Sequence, residues 1–420
     1  MKQLRTVRGV HDILPGQYRY FKEIVRKASL WAERYGFDPI ALPIIENEEV
    51  FRRPLGETSD IISKEMFVLQ QRDKSEKIVL RPEATASVVR SFLQHGLQNL
   101  LPQKLYYWGP MFRYERPQKG RLRQFNQFGV EFIGIDDPYQ DVEVITLGYH
   151  LLKDLGLIDD VTLHINTLGD THSRAAYREA LVDYFTSEKK KLSEESLKRL
   201  ALNPMRILDS KDSGDQELCR QGPQFSAYLS KESKDHFKRV CDGLEVQGIQ
   251  YKHNTYLVRG LDYYCHTAFE FITDRLGAQS AVLAGGRYDS LTAYMGGAPV
   301  DSMGWAAGIE RLILLMEGKE TYQLPEKYRI SFVPLDRESE VPCWQLVQLL
   351  RENGFSVDIL WKGNVGKRLK KLDKAGVDVA ILMGEDERRA ENIVVKFLKE
   401  SKQETVSVDS LLSFLQAIDR

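Results

Sequence analysis

Apolar residues recur at helical spacing from Phe21 through Ile24, Val25, Ala28 and Trp31 to Tyr35, and Gly36 closes the run. The pattern predicts a first long helix. Residues 37–45 read as a strand, which Pro39 and Pro43 push to a sheet edge. A long helix followed by a proline-bearing edge strand suits a subunit interface. Residues 46–67 are so dense in charges and turn formers that an exposed loop is the first expectation. A short strand follows at 78–81, then a helix. Pro82 is tolerated in its first turn, Glu83 suits the positive end of its dipole and Gly96 caps its end.

Residues 104–134 read as two strands. The first arm, 105–112, is rich in aromatics. The second, 124–133, puts Phe125, Gln127, Gly129, Glu131 and Ile133 on one face and Asn126, Phe128, Val130 and Phe132 on the other. Between the arms lie Arg113, Glu115, Arg116, Lys119, Arg121 and Arg123. Hairpins turn in about two to five residues, so this connection is longer and more charged than turning requires.

Beyond it, Asp137-Pro138 starts a helix with Val142, Ile145, Tyr149 and Leu152 on one face, and Gly156 ends it. Residues 161–166 form a strand. From 170 to about 251 the strand rhythm gives way to charged helical sequence, an inserted subdomain. Sheet character returns at 255–273, with Arg259-Gly260 inside an apolar run, and at 280–287, which ends in a glycine pair. Residues 304–316 open with small side chains and run into a buried helix carrying Glu310 and Arg311. After a linker at 317–327, strands at 329–335, 356–360, 377–383 and 392–398 alternate with helices and precede a final helix, a separate α/β domain with a mixed sheet. The expected layout is a core in two parts, 1–169 and 253–320, an insertion at 170–252 and a second domain at 327–420.

Composition narrows the function. A chain of 420 residues with 42% hydrophobic content supports more than one sizeable core. Net charge is −1, so any nucleic-acid contact must use local patches. One such patch is Lys367, Arg368, Lys370, Lys371 and Lys374, which either forms a solvated face or meets an RNA backbone. Cys219, Cys241, Cys265 and Cys343 are widely spaced, with no CxxC, so neither a zinc ribbon nor a disulfide framework is indicated. The start carries no apolar signal region and no run is long enough to span a bilayer. A cytoplasmic enzyme is the expectation.

The chemistry concentrates on the hairpin. Arginine forks bind phosphate and carboxylate in pairs, and several beside an aromatic that can stack on a base suggest a nucleotide cradle. Glu131 on a strand among aromatics needs a partner and is a candidate site residue. Glu83 and Thr85 either open their helix or bind an ammonium. Glu310 and Arg311 either pair with each other or meet phosphate or base. Neither GxxxxGK[ST] nor GxGxxG is present, so a nucleotide would be held by side-chain arginines and stacking.

On these residues the chain resembles the class II aminoacyl-tRNA synthetases, and within them the histidyl-tRNA synthetase family. PIIENEEVFRRPLGETSDIISKEMF is similar to that family's first motif, FRYERPQKGRLRQFNQFGVE to the second and GWAAGIERL to the third. LVRGLDYYCHTAFEF and AGGRYDSL are similar to its histidine-specific signatures. The resemblance implies an α+β fold: an antiparallel-sheet catalytic core with a helical insertion, plus a C-terminal α/β anticodon-binding domain. It implies ATP-dependent formation of histidyl-adenylate, then transfer to the 3′ end of tRNA(His), by a cytoplasmic homodimer.

The roles it implies are specific. Arg113 holds the α-phosphate and the amino-acid carboxylate, and Arg259 stabilises the α-phosphate under attack. Glu115 reads the adenine amino group, Phe125 and Arg311 sandwich the ring, and Arg121 reaches the γ-phosphate, with magnesium carried on the ATP phosphates. Glu83, Thr85 and Gln127 bind the α-amino group of histidine. Glu131 and Tyr264 pair with the imidazole nitrogens, with Tyr263 beside them. Arg116, Gln118 and Lys119 meet the acceptor end of the tRNA. The chain departs from the family's usual residues at Asn126, Ser210, Cys265-His266 and Trp305. The second reading is a non-catalytic synthetase-like paralogue, such as the regulatory subunit of the first histidine-biosynthesis enzyme. The intact arginine set, the insertion and the second domain argue against it.

Overall fold

The computed structural model describes residues 3–56, 59, 61–70, 76–134, 136–258, 263–277, 281–319, 328–400 and 402–418, without the side chain of Asp209. The chain divides into two compact units, Met1–Tyr322 and Gln323–Arg420.

The first unit is built on strands β1 Asp38–Pro39, β2 Ile45–Asn47, β3 Phe67–Val68, β4 Ile78–Leu80, β5 Gln103–Phe112, β6 Gln124–Ile133, β7 Thr162–Thr167, β8 Tyr251–His253, β9 Cys265–Ile272, β10 Ala281–Arg287 and β11 Ser302–Gly308. Its helices are α1 Pro15–Arg34, α2 Glu49–Leu55, α3 Thr85–Gln94, α4 Pro138–Asp154, α5 Thr171–Ser187, α6 Glu194–Leu202, α7 Ser213–Gln221, α8 Lys231–Val246, α9 Leu291–Tyr294 and α10 Ile309–Glu317. Eight strands form one sheet in the order β1-β5-β6-β11-β10-β9-β7-β8. Only the two outermost pairs, β1 with β5 and β7 with β8, are parallel. β2, β4 and β3 form a small second sheet.

The alternation read along β6 sets the two sides of the large sheet. Phe128, Val130 and Phe132 join the main core, with Trp305 and Leu283 from neighbouring strands and Ile24, Ala28, Ile145 and Leu312 from α1, α4 and α10. On the opposite side α2 and α3 close over the sheet with Phe51, Leu55, Val89, Tyr263, Tyr264 and Tyr288. The functional side chains lie on this second side.

Four expectations change. Residues 37–45 split into β1 and β2 rather than one strand, because Pro39 and Pro43 lack the N–H a ladder needs. The described residues of 46–67 are not an exposed loop. Phe51 and Leu55 are fully buried on α2, and the charge density that hid its period is held in ion pairs, Glu46 with Arg90 and Glu48 with Arg52 and Lys77. In 255–273 the strand begins only at Cys265. The small residues ahead of the helix at 309 form β11, where a Cβ on Gly304 would lie 1.8 Å from the Glu131 carboxylate facing it.

The insertion carries its own core of Tyr177, Leu181, Phe185, Ile207 and Leu218. Asp215 pins it, accepting from the hydroxyls of Ser193, Ser196 and Ser210 at 2.6–2.7 Å. Ser210, one of the departures from the family's usual residues, is thus a hydrogen-bond donor in that knot.

The second unit is a five-stranded mixed sheet. Its strands are β12 Arg329–Pro334, β13 Ser356–Ile359, β14 Val379–Met383, β15 Asn392–Phe397 and β16 Lys402–Ser407, in the order β13-β12-β14-β15-β16. β12 runs parallel to both neighbours, and the rest pair antiparallel. β16 was not anticipated, because KQETVS is a polar, largely exposed edge. The basic patch also needs correction. On helix Val365–Lys374 the four lysines are exposed, but Arg368 is turned inward, donating to the carbonyls of Pro334 at 2.7 Å and Leu360 at 3.0 Å. Arg368→Met leaves both carbonyls without that donor. We expect a loss of about 1–3 kcal/mol in the urea unfolding of this unit, whereas Lys370→Met leaves the midpoint unchanged.

Candidate active site

The hairpin β5–β6 and the start of α3 bring most of the expected residues to one cavity of about 280 Å³. Glu83, Thr85, Arg113, Glu115, Arg121, Phe125, Gln127, Tyr263, Tyr264 and Arg311 all line it. Glu131 lies beneath, 1% exposed. Arg259 lies outside the described residues. Arg116, Gln118 and Lys119 are exposed on the loop; Gln118 and Lys119 face an adjoining cavity of about 800 Å³.

The floor is a carboxylate held by hydroxyls. Glu131 accepts from Thr85 at 2.7 Å, Tyr107 at 3.3 Å and Tyr288 at 2.5 Å. Burial pushes its acid up to about 8, against the pull of those hydroxyls. Burial also raises Tyr107, Tyr263 and Tyr288 well above the ordinary phenol range. The three tyrosines Tyr263, Tyr264 and Tyr288 pack ring to ring, with centroids 4.6–6.5 Å apart. Gly286 makes room for them, since a Cβ there would meet the Tyr264 ring at 2.9 Å.

Above the floor, Glu83 settles one open alternative in part. Its oxygens accept from the backbone N–H groups of Thr85 at 2.7 Å and Ala86 at 2.9 Å, which is helix-start chemistry. It also faces the cavity, and burial raises its pKa while Arg113 opposes the rise. Gln127, which lines the cavity, presents a buried amide oxygen with no partner among the described residues.

At the other end, Arg113 donates to the Pro82 carbonyl at 2.9 Å and lies over Phe125, 5.3 Å from its centroid. Glu115 is buried and ion-paired with Arg121, which also lies 3.6 Å from Glu65. Arg311 donates to the carbonyls of Gly120 at 3.0 Å and Ala281 at 2.6 Å, and burial lowers its pKa to about 10. Glu310 turns to β6 instead, accepting from the backbone and side chain of Asn126 at 2.8–2.9 Å. That explains how the strand is supported at Asn126.

The loop is clamped from both sides. Arg123 N–H donates to the Gly9 carbonyl at 2.7 Å, and Gly9 has φ +83° with Pro117 2.7 Å from where a Cβ would stand. Tyr114 N–H donates to the Glu65 carbonyl at 2.6 Å. Tyr107 and Tyr288 were given no role by the sequence reading. Pairing of Tyr107 with Gly129 shows why one aromatic arm points inward, but that register is not visible in either strand alone.

Comparison with known proteins gives the same assignment along the whole chain. The model of the histidyl-tRNA synthetase family matches residues 9–312, and an anticodon binding domain matches 330–418. A histidine–tRNA ligase of Rhodospirillum rubrum is 46% identical over 415 residues, covering 99% of each chain. One from Gluconacetobacter diazotrophicus is 44% identical over 418 residues, covering 100% of each. The apo crystal structure of Staphylococcus aureus histidyl-tRNA synthetase matches with a TM-score of 0.81 at 33% identity, covering 99% of this chain and 100% of that one.

The Glu131 acid is raised in the folded state, so its contribution to stability is full below the unfolded value near 4.5 and is lost as pH rises through about 8. Glu131→Gln is therefore expected to unfold at a higher temperature than the parent at pH 8.5. The gap should close toward pH 4.5 in thermal scans across that range.

Proposed function

The chain belongs to the histidyl-tRNA synthetase family, and from that premise we infer that it ligates L-histidine to its tRNA in two ATP-dependent steps. The observation that carries the reading is a cavity lined by Arg113, Arg121 and Arg311 with the buried carboxyl group of Glu131 directly beneath its tyrosine-lined floor. The regulatory-subunit alternative is not favoured: relatives covering 99–100% of the chain are named histidine–tRNA ligases, and an anticodon binding domain matches residues 330–418.

In this reading Gln127, Glu83 and Thr85 receive the α-ammonium, which would satisfy the orphan amide oxygen of Gln127. Glu131 and Tyr264 receive the two imidazole nitrogens, with Tyr263 alongside. A pocket demanding both partners rejects side chains that satisfy only one. Phe125 and Arg311 take the adenine between them, Glu115 its amino group and Arg121 the γ-phosphate. The last two roles require the Glu115–Arg121 ion pair to open, each partner exchanging the other for ATP. Arg113 leaves the face of Phe125 free only when it turns to the phosphate and carboxylate.

The histidine carboxylate attacks the α-phosphorus in line and pyrophosphate leaves, while Arg113 and Arg259 neutralise the developing charge. Glu270, a carboxylate in the cavity lining, would help hold a magnesium ion carried by ATP, which would supply further charge neutralisation. The terminal ribose hydroxyl of the tRNA then attacks the aminoacyl carbonyl, releasing AMP. Arg116, Gln118 and Lys119 meet the acceptor end. The exposed Lys367, Lys370, Lys371 and Lys374 suit the backbone near the anticodon. Residues 170–252 act as an insertion in the catalytic core. No helix among the described residues is long and apolar enough to cross a membrane, and ATP and tRNA as substrates fit a cytoplasmic location.

We also place a second copy of the chain against the exposed apolar side chains Leu14, Tyr18, Ile44 and Ile45, near the start of α1 and the proline-bearing segment. Light scattering on the eluting protein is expected to give twice the chain mass, and Tyr18→Glu with Ile45→Glu to shift it toward one. ATP–pyrophosphate exchange with each of the twenty amino acids, without tRNA, is expected to run with histidine alone. Arg113→Ala should slow it by about 10²–10³-fold. Absence of exchange from folded protein would refute the catalytic reading and favour the regulatory one.

A further inference from the structure

Away from the cavity, the most heavily bonded buried charge in the first unit is Arg287, 1% exposed at the end of β10. Its guanidinium meets Asp141 at 3.0 Å, Asp289 at 3.0 Å, Asp301 at 3.3 Å and Asp136 at 3.8 Å. Asp289 also accepts from the Ser302 N–H at 3.0 Å. The residues on either side of Tyr288 are therefore both fixed, and Tyr288 is left one task, to donate to Glu131 at 2.5 Å.

Asp141 is the other end of this linkage. It sits fully buried on α4 and accepts from Thr267 at 2.5 Å as well as from Arg287. Its remaining donor comes from the insertion: His236 on α8 gives its Nε2–H to Asp141 Oδ2 at 2.9 Å. A carboxylate can only accept here, so the proton belongs on Nε2. The His236 ring stacks on His266 at 4.8 Å and 29°. His266 has φ +43°, a backbone conformation that L residues seldom adopt, and its buried Nδ1 has no partner among the described residues. The strained residue is thus spent on backing one histidine of the insertion. α8 is seated on α4 elsewhere too: Arg239 lies over Tyr139 and pairs with Asp137, and a Cβ on Gly243 would stand 2.7 Å from Val142.

We propose that His236 is a positioning residue for amino-acid recognition: docking of the insertion on α4 sets the imidazole pocket through Asp141, Arg287 and Tyr288 to Glu131. Each link is a direct hydrogen bond or ion pair, apart from the single covalent step from Arg287 to Tyr288. The linkage approaches the cavity from the imidazole side, and among the described residues it does not run through Arg113, Arg121 or Arg311. It therefore predicts an effect on histidine that ATP does not share. The inference rests on the reading that Glu131 faces histidine.

The test uses the full chain in ATP–pyrophosphate exchange. His236→Ala is expected to raise the KM for histidine about fivefold to tenfold, with the KM for ATP and kcat within about twofold of the parent. His236→Gln, which can keep an N–H toward Asp141, is expected to restore the parental KM. Amide hydrogen exchange at residues 287–289 should quicken in His236→Ala and return to the parental rate in His236→Gln. A folded His236→Ala with an unchanged KM for histidine overturns the proposal, as does one whose KM values for histidine and ATP rise together. In both cases a parent that responds to histidine leaves the synthetase reading standing. A parent without histidine-driven exchange removes that reading and the proposal with it.

Discussion

The first unit is organised by the need to keep one carboxyl group under a sheet. Glu131 sits mid-strand among aromatics, where an unpartnered charge would be prohibitive. Its donors come from the start of α3, from β5 and from the turn after β10, segments far apart in the chain. Gly304 leaves its side chain room from the neighbouring strand. Satisfying this one group brings residues of the cavity from three segments into register, and the aromatic floor follows from the same packing. The hydroxyls that satisfy this group thus also tie three separate segments to the floor of the cavity. Its acid, raised by burial, records how little solvent is left there.

The phosphate end is arranged differently. Its cations are already engaged, Arg113 with a carbonyl and Phe125, Arg121 with Glu115 and Glu65, and Arg311 with two carbonyls. A self-satisfied floor lies beside a set of arginines that, in the proposed reading, exchange protein partners for ligand. The loop bearing them is fixed at its flanks by Gly9 and Glu65. The exchange is therefore one of side chains on an anchored backbone.

Much of this was legible where a period is strong. The α1 stripe, the two faces of β6, the Asp137 cap and the charged helical insertion all follow from local pattern, and the motif residues marked the cavity. What the pattern missed had particular causes. The charges of α2 drowned its short apolar face. β16 lacks apolar alternation because it is an edge. Arg368 looked like one more surface cation because nothing in a lysine-rich helix says which side faces the sheet. Tyr107 and Tyr288 depend on cross-strand register and on a turn held by Arg287, and both are long-range facts. The partner of Glu310 proved to be Asn126 rather than the adjacent Arg311, for the same reason.

The strand order carries a consequence for synthesis. β6, the strand that carries Gln127 and Glu131, pairs with β5 as soon as the hairpin emerges, but its other edge is covered only by β11, with Ile133 opposite Ser302. The whole insertion, β9 and β10 are made in between. Throughout that interval the nascent chain carries an open, partly apolar edge, the kind of template that invites pairing with another chain. The cost of closing so long a loop grows only slowly with its length. The burden of the late partner therefore falls on the risk of misassembly during synthesis rather than on the stability of the finished sheet.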